Sequence, residues 1–199
     1  PCALHVVPPL SAPDAAAVFA AAAAEVTVAQ ADAARADAAQ ADAAHVDKAI
    51  LAGHPLALIL AARALAVLSP RAARRASRAS RRDATLPDGL SVALPLALTA
   101  LGRGRARSLW ALAVLFPDGL PPRIWDHLEQ TGAARPADRR ALVRLGLAAE
   151  RGDHLVVPSA LVEPALAQAA AARAGSSLEW ARRALRGWLV ALRAPTGYG

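Results

Sequence analysis

Apolar residues recur along most of this chain at helical spacing, and only three short runs depart from it. Leu4–Val7 is a β-prone run stopped by Pro8 and Pro9. Ser11 then offers an N-cap, with Asp14 three residues on and Pro13 in the first turn, and predicts a helix over Asp14–Ala24 with Val18 and Phe19 on one side. Ile50–Leu68 carries Leu56, Leu58, Ile59, Leu60, Leu65 and Leu68 on several faces, the pattern of a helix buried in the middle of a bundle. Gly53, His54 and Pro55 stand at its start, where proline fits the first turn. Pro70–Asp83 is polar by contrast. Arg71, Arg74, Arg75, Arg78, Arg81 and Arg82 include spacings of three and four residues, which make a positive ridge on a helix.

After the Pro87-Asp88-Gly89 turn the order of elements changes. Ser91–Leu101 and Arg105–Phe116 read as helices, the second with Leu109, Leu112, Ala113 and Phe116 on one face. Pro117-Asp118-Gly119 makes another turn. Pro122–Gln130 and Pro136–Leu145 follow as helices carrying Ile124, Trp125 and Leu128, then Leu142, Val143 and Leu145. Leu147–Glu150 and His154–Val157 flank a tight turn at Arg151-Gly152-Asp153 and predict a β-hairpin. Helices closed by such a hairpin are the plan of a winged helix. Ser159–Ala172 continues as helix. Ser176 with Glu179 is a capping box opening a last helix striped by Leu178, Ala181, Leu185, Trp188 and Leu192.

The fold class expected is therefore mainly α: a helical bundle, a winged-helix domain with a small hairpin, and the start of a helical-repeat region. The domain bounds are 1–85, 86–173 and 174–199. Composition supports the helical bias but weakens the core. Of the 55% apolar residues many are alanine, which favours helix yet buries little area, and aromatics are only 4%. Residues 29–48 form a low-complexity tract with Asp32, Asp37, Asp42 and Asp47 every five residues. Five residues advance a helix by about 500°, so these carboxylates spiral round it and line up no metal site.

The formal net charge is +7, almost all from arginine, with Lys48 as the single lysine. So basic a chain suits phosphate-bearing partners, although abundant Ala and Arg with scarce Lys also match a GC-rich coding bias, the stronger explanation. The P-loop motif G-x-x-x-x-G-K-[ST] needs its lysine on the phosphates, and Lys48 sits between Asp47 and Ala49, so there is no Walker A here. Gly102 and Gly104 lack the third glycine of a dinucleotide fingerprint, Arg107 standing in its place. His5, His45, His54, His127 and His154 show no zinc spacing, and Cys2 is alone. These gaps exclude an autonomous enzyme of those classes. Met is absent and Pro1 opens the sequence, which is read as a piece of a longer polypeptide. No apolar stretch is long enough for a membrane span, and the cytoplasm is the expected compartment.

Three strings then stand out together. Leu4–Pro9 followed by Leu10-Ser11, an acidic residue and Phe19 is the first, and Gly53-His54-Pro55-Leu56-Ala57-Leu58 the second. The third is Leu109–Leu120 (LWALAVLFPDGL) with Leu142–Ala149 (LVRLGLAA) and the hairpin. In this order they resemble the part of an NB-ARC module that follows the P-loop core in STAND-class bacterial signal-transduction ATPases: a strand-end cap, a helical subdomain with a G-x-P-L-A-L motif, and a winged helix. The resemblance implies an ADP/ATP switch whose Mg and phosphates are held by an upstream P-loop domain. It implies a nucleotide contact at Gly53, His54 and Pro55, no catalytic residue in this chain, and TPR-like repeats after Ser177. The family histidine that touches the ADP phosphate after the second wing strand is missing here, where Val157-Pro158-Ser159 stand, and His154 lies earlier on the strand. Expected partners are adenine nucleotide, the upstream P-loop domain and the downstream repeats, with weak non-specific nucleic-acid binding through Arg71–Arg82. The rival reading is a winged-helix DNA-binding transcriptional regulator. Pro136–Leu145 offers it Arg139, Arg140 and Arg144 but no Asn or Gln to read bases.

Overall fold

The computed structural model describes residues 10–28, 54–80, 89–102, 110, 112–116, 118–164, 182–183 and 185–189. The expected strand at Leu4–Val7, the aspartate tract, Gly53, the turn residues Pro87 and Asp88, and Leu178 and Leu192 of the last stripe lie outside these residues. The chain divides into two compact units, 1–100 and 101–199. The described residues are mainly helical, with one small antiparallel sheet.

In the first unit α1 spans Ala12–Val28. The Ser11 hydroxyl and the Asp14 carboxylate are hydrogen-bonded to each other, and the Asp14 amide donates to Ser11 Oγ at 3.3 Å, so the cap forms where the sequence places it. The buried stripe is Ala15, Phe19, Ala22 and Val26, at i, i+4, i+7 and i+11, while Val18 is only half-buried. That stripe packs α1 on α2, Pro55–Leu65, and an Arg63–Glu25 ion pair joins the two helices. In α2 Ala57, Leu58, Leu60, Ala61, Ala62, Ala64 and Leu65 are all buried, so the helix is enclosed on nearly every side, as its pattern predicts.

Helix α3, Pro70–Ser80, is of another kind. Ala73 and Ala76 face inward and Arg71, Arg74 and Arg75 are exposed. Helix α4, Leu90–Leu101, buries Leu90, Ala93, Leu94, Leu96, Ala97 and Leu98. It accommodates Pro95 internally, and the Thr99 hydroxyl donates to the Pro95 carbonyl at 2.7 Å.

The second unit is built round a hairpin and the helices beside it. The helical turn holding Trp110, Leu112 and Ala113 ends at Ala113 rather than at Phe116. Its last amides tighten, Leu115 N–H donating to the Leu112 carbonyl and Phe116 N–H to that of Ala113. The chain then turns at Gly119, φ +101°, into Leu120. Leu120 pairs antiparallel with Leu155 in both directions, at 2.8 and 3.2 Å. Helices α5 (Pro122–Gln130) and α6 (Pro136–Arg144) both begin with proline at the first turn. The Asp138 carboxylate accepts from the Arg135 amide at 2.9 Å, which caps α6.

Strands β1 (Ala149–Arg151) and β2 (His154–Val156) pair as Ala149 with Val156, Glu150 with Leu155 and Arg151 with His154. The turn is thus Gly152-Asp153 alone, one residue narrower than the sequence predicts. The first strand also starts two residues later than expected. Leu147 and Ala148 are buried in the connection, and the Leu147 carbonyl accepts from buried Trp110 Nε1 at 3.0 Å, which holds it out of the ladder. Ile124, Trp125, Leu128, Leu142, Leu145, Leu155 and Leu161 complete the core of this unit. Residues 159–164, 182–183 and 185–189 are helical.

Candidate functional site

The residues singled out by sequence sit where α2 begins. Proline at the first position presets φ for the helix and has no N–H to satisfy. His54 is the N-cap residue, with extended backbone (φ −141°, ψ 104°), and its carbonyl accepts from Ala57 N–H at 2.9 Å and Leu58 N–H at 3.2 Å. The backbone therefore swings from extended to helical within one residue, and from Ala57 onward the helix is buried. Pro55 is left exposed at the tip, with Leu56 half-buried behind it.

His54 itself is half-buried, and its Nδ1 is shielded from solvent with no hydrogen-bond partner among the described residues. A buried ring nitrogen without a partner costs about 1–3 kcal/mol, so a ligand that reached it would recover that energy. No acidic residue stands in the first turn of α2, which leaves the positive end of the helix dipole uncompensated there. The chemistry on offer is binding: an exposed ring face, a ring nitrogen and a positive helix end. No group of three or more metal-ligating side chains occurs among the described residues.

The position corresponding to the expected phosphate contact lies in the second unit. Val157 is buried, Pro158 half-buried and Ser159 exposed at the start of the 159–164 helical segment. His154 is half-buried. A Cβ built on Gly119 would lie 3.0 Å from His154 Cβ and 2.8 Å from Val156 Cγ2, so glycine is what allows the backbone to pass so near this strand.

Two features of the second unit escaped sequence reasoning. Arg139, one of the three arginines that the DNA-binding reading counts on this helix, is paired with Glu150 at 2.8 Å and lies over the Trp125 ring, 5.6 Å from its centroid. The eleven-residue separation of Arg139 and Glu150 gives no local signal of that pairing. The Leu120–Leu155 bridge is the second, and the signal for it was Gly119 followed by a lone leucine.

No protein-family model matches the chain, and no curated protein or solved structure is significantly similar to it. No helix among the described residues is long and apolar enough to cross a membrane.

Proposed function

We propose that this chain is the regulatory, non-catalytic part of an ADP/ATP-dependent switch of the STAND (NB-ARC-like) type. Gly53, His54 and Pro55 contact adenine nucleotide, and residues 86–173 form a winged helix that leads into helical repeats from 174 onward. The observation that carries the nucleotide contact is the start of α2: Pro55 exposed at the tip of an otherwise buried helix, beside a His54 nitrogen with no partner among the described residues. An adenine ring laid on Pro55 covers an apolar face that water now meets, and a hydrogen bond to the enclosed His54 Nδ1 requires the His54 side chain to move. The winged-helix reading rests on element order. Leu120, α5, α6, β1 and β2 follow one another, with Leu120 joined to β2 by a single-residue bridge to Leu155. The helical segments at 182–183 and 185–189 accord with the beginning of a repeat array.

In this reading phosphate and Mg are held by a P-loop domain outside this sequence, since the chain's single lysine stands in no Walker A motif. The nucleotide shifts a two-state equilibrium only through different contacts in the two states. Those at Pro55 and His54 are what this chain adds. The test places Pro55→Ala in the protein joined to its P-loop domain and measures ADP affinity beside thermal stability. A loss of affinity with unchanged stability supports the contact. Unchanged affinity with lowered stability makes Pro55 a helix starter and removes the assignment.

The second reading, a DNA-binding regulator, draws on Arg140 and Arg144, exposed one turn apart on α6. With Arg139 held by Glu150 and Trp125, that helix keeps fewer free cations than its sequence advertises.

A further inference from the structure

A second surface is independent of the nucleotide reading. Helix α3 holds four arginines in eleven residues, Arg71, Arg74, Arg75 and Arg78, and its sequence (PRAARRASRAS) has no acidic and no aromatic residue. Arg71, Arg74 and Arg75 are exposed, and none has a carboxylate within ion-pair distance among the described residues. Among the described residues, ion pairs are formed by Arg63 with Glu25 and by Arg139 with Glu150, and by none of Arg71, Arg74 and Arg75. The positions i, i+3 and i+4 put these three guanidinium groups on one face of the helix, spread over about 6 Å of its axis.

We infer that the exposed face of α3 is a docking surface for the phosphodiester backbone of duplex nucleic acid. The match is one of charge spacing. A duplex carries one negative charge per about 1.7 Å of axis with both strands counted, so guanidinium groups spread over about 6 Å match the axial span of about three backbone charges. Guanidinium forks bind phosphate oxygens bidentately. The other polyanions fit less well. A helix that lies in a membrane interface sinks an apolar face into it, and the inward face of α3 is alanine, with Ala73 and Ala76 already buried. A single strand needs aromatic rings for its bases to stack on, and α3 has none. The match is to phosphate spacing alone, so the proposed contact reads backbone and not sequence.

Three phosphate contacts give a logarithmic salt slope of about −2.7, which is roughly a 40-fold loss of affinity between 50 and 200 mM salt. The experiment measures binding of the 199-residue chain to fluorescein-labelled duplex DNA of several unrelated sequences by anisotropy across that salt range. Two variants with equal change in net charge are compared: Arg71→Glu/Arg74→Glu/Arg75→Glu on α3, and Arg140→Glu/Arg144→Glu/Arg151→Glu on the exposed side of α6 and the hairpin. The triple Arg→Gln variant on α3 serves if the glutamates disturb the helix, which circular dichroism reports. The expected result is sequence-independent binding with a slope near −2.7, weakened at least tenfold and flattened by the α3 variant but changed less than threefold by the other. Equal weakening by both variants overturns the inference, because net charge alone then explains the binding. Loss through the α6 and hairpin variant alone moves the interface to the second unit. No binding at 50 mM salt, or tighter binding to anionic vesicles with the same α3 dependence, also overturns it.

Discussion

Replacing Gly119 by alanine isolates the contact that shapes the second unit. Two separate costs arise at this position. The backbone sits at φ +101°, where an L side chain is strained, and leaving the ordinary regions costs about 1–2 kcal/mol. The new Cβ also falls 2.8 Å from Val156 Cγ2 and 3.0 Å from His154 Cβ, so β2 must move, and overpacking of this kind costs about 1–3 kcal/mol. The next residue, Leu120, is bonded both ways to Leu155 on that same strand, so the strand cannot shift without stretching those bonds. The sum is about 2–5 kcal/mol. Gly152 supplies the control: its φ is +58°, but nothing lies within 4 Å of a Cβ there, so Gly152→Ala bears only the backbone cost, about 1–2 kcal/mol. All four tryptophans of the chain (Trp110, Trp125, Trp180 and Trp188) belong to residues 101–199, so tryptophan fluorescence during urea unfolding reads this unit selectively. Gly119→Ala is expected to lower the unfolding free energy by at least about 1 kcal/mol more than Gly152→Ala. Equal losses in the two variants refute the close approach of Gly119 to β2.

The same fluorescence assay tests Trp110→Phe, which removes the donor to the Leu147 carbonyl and leaves that buried oxygen unpaired; the expected loss is about 1–3 kcal/mol, and a loss below about 0.5 kcal/mol contradicts the role given to the bond. In the first unit, Phe19→Ala removes the one large side chain of the α1 stripe. Thermal unfolding followed by circular dichroism should show a loss near the lower end of the usual 3–5 kcal/mol, because Phe19 keeps 8% of its surface exposed. Breaking the Arg139–Glu150 pair with Glu150→Gln should cost no more than about 1 kcal/mol, since Glu150 is about half exposed, and salt should reduce the difference further.

Among the described residues, helix existence was legible where a periodic face coincided with a start signal. Pro122–Gln130 is recovered residue for residue, because Pro121-Pro122 opens it and Thr131 with Gly132 closes it. The cap at Ser11 is legible for the same reason: its partner Asp14 is local in sequence. The α1 stripe was less so. Alanine fills most positions of that helix and carries little hydrophobic signal, so Val18 stood out in the sequence while Ala15, Ala22 and Val26 do the packing beside Phe19. The hairpin was legible from Gly152, but its register was not. Register depends on Trp110 taking the Leu147 carbonyl from 37 residues away. At the candidate site the sequence pointed to the start of α2 through Gly53, His54 and Pro55. It held no hint that His54 Nδ1 is enclosed without a partner among the described residues, which is a property of packing.

The central claim is that this chain works with a phosphate-gripping domain it does not itself contain. The most direct measurement is the full sequence of the native polypeptide, obtained by peptide mapping of protein isolated from its source. The account predicts a G-x-x-x-x-G-K-[ST] motif within one domain's length, about 100–250 residues upstream. A native polypeptide with no such motif ahead of Pro1 contradicts the switch and leaves α2 as a buried structural helix.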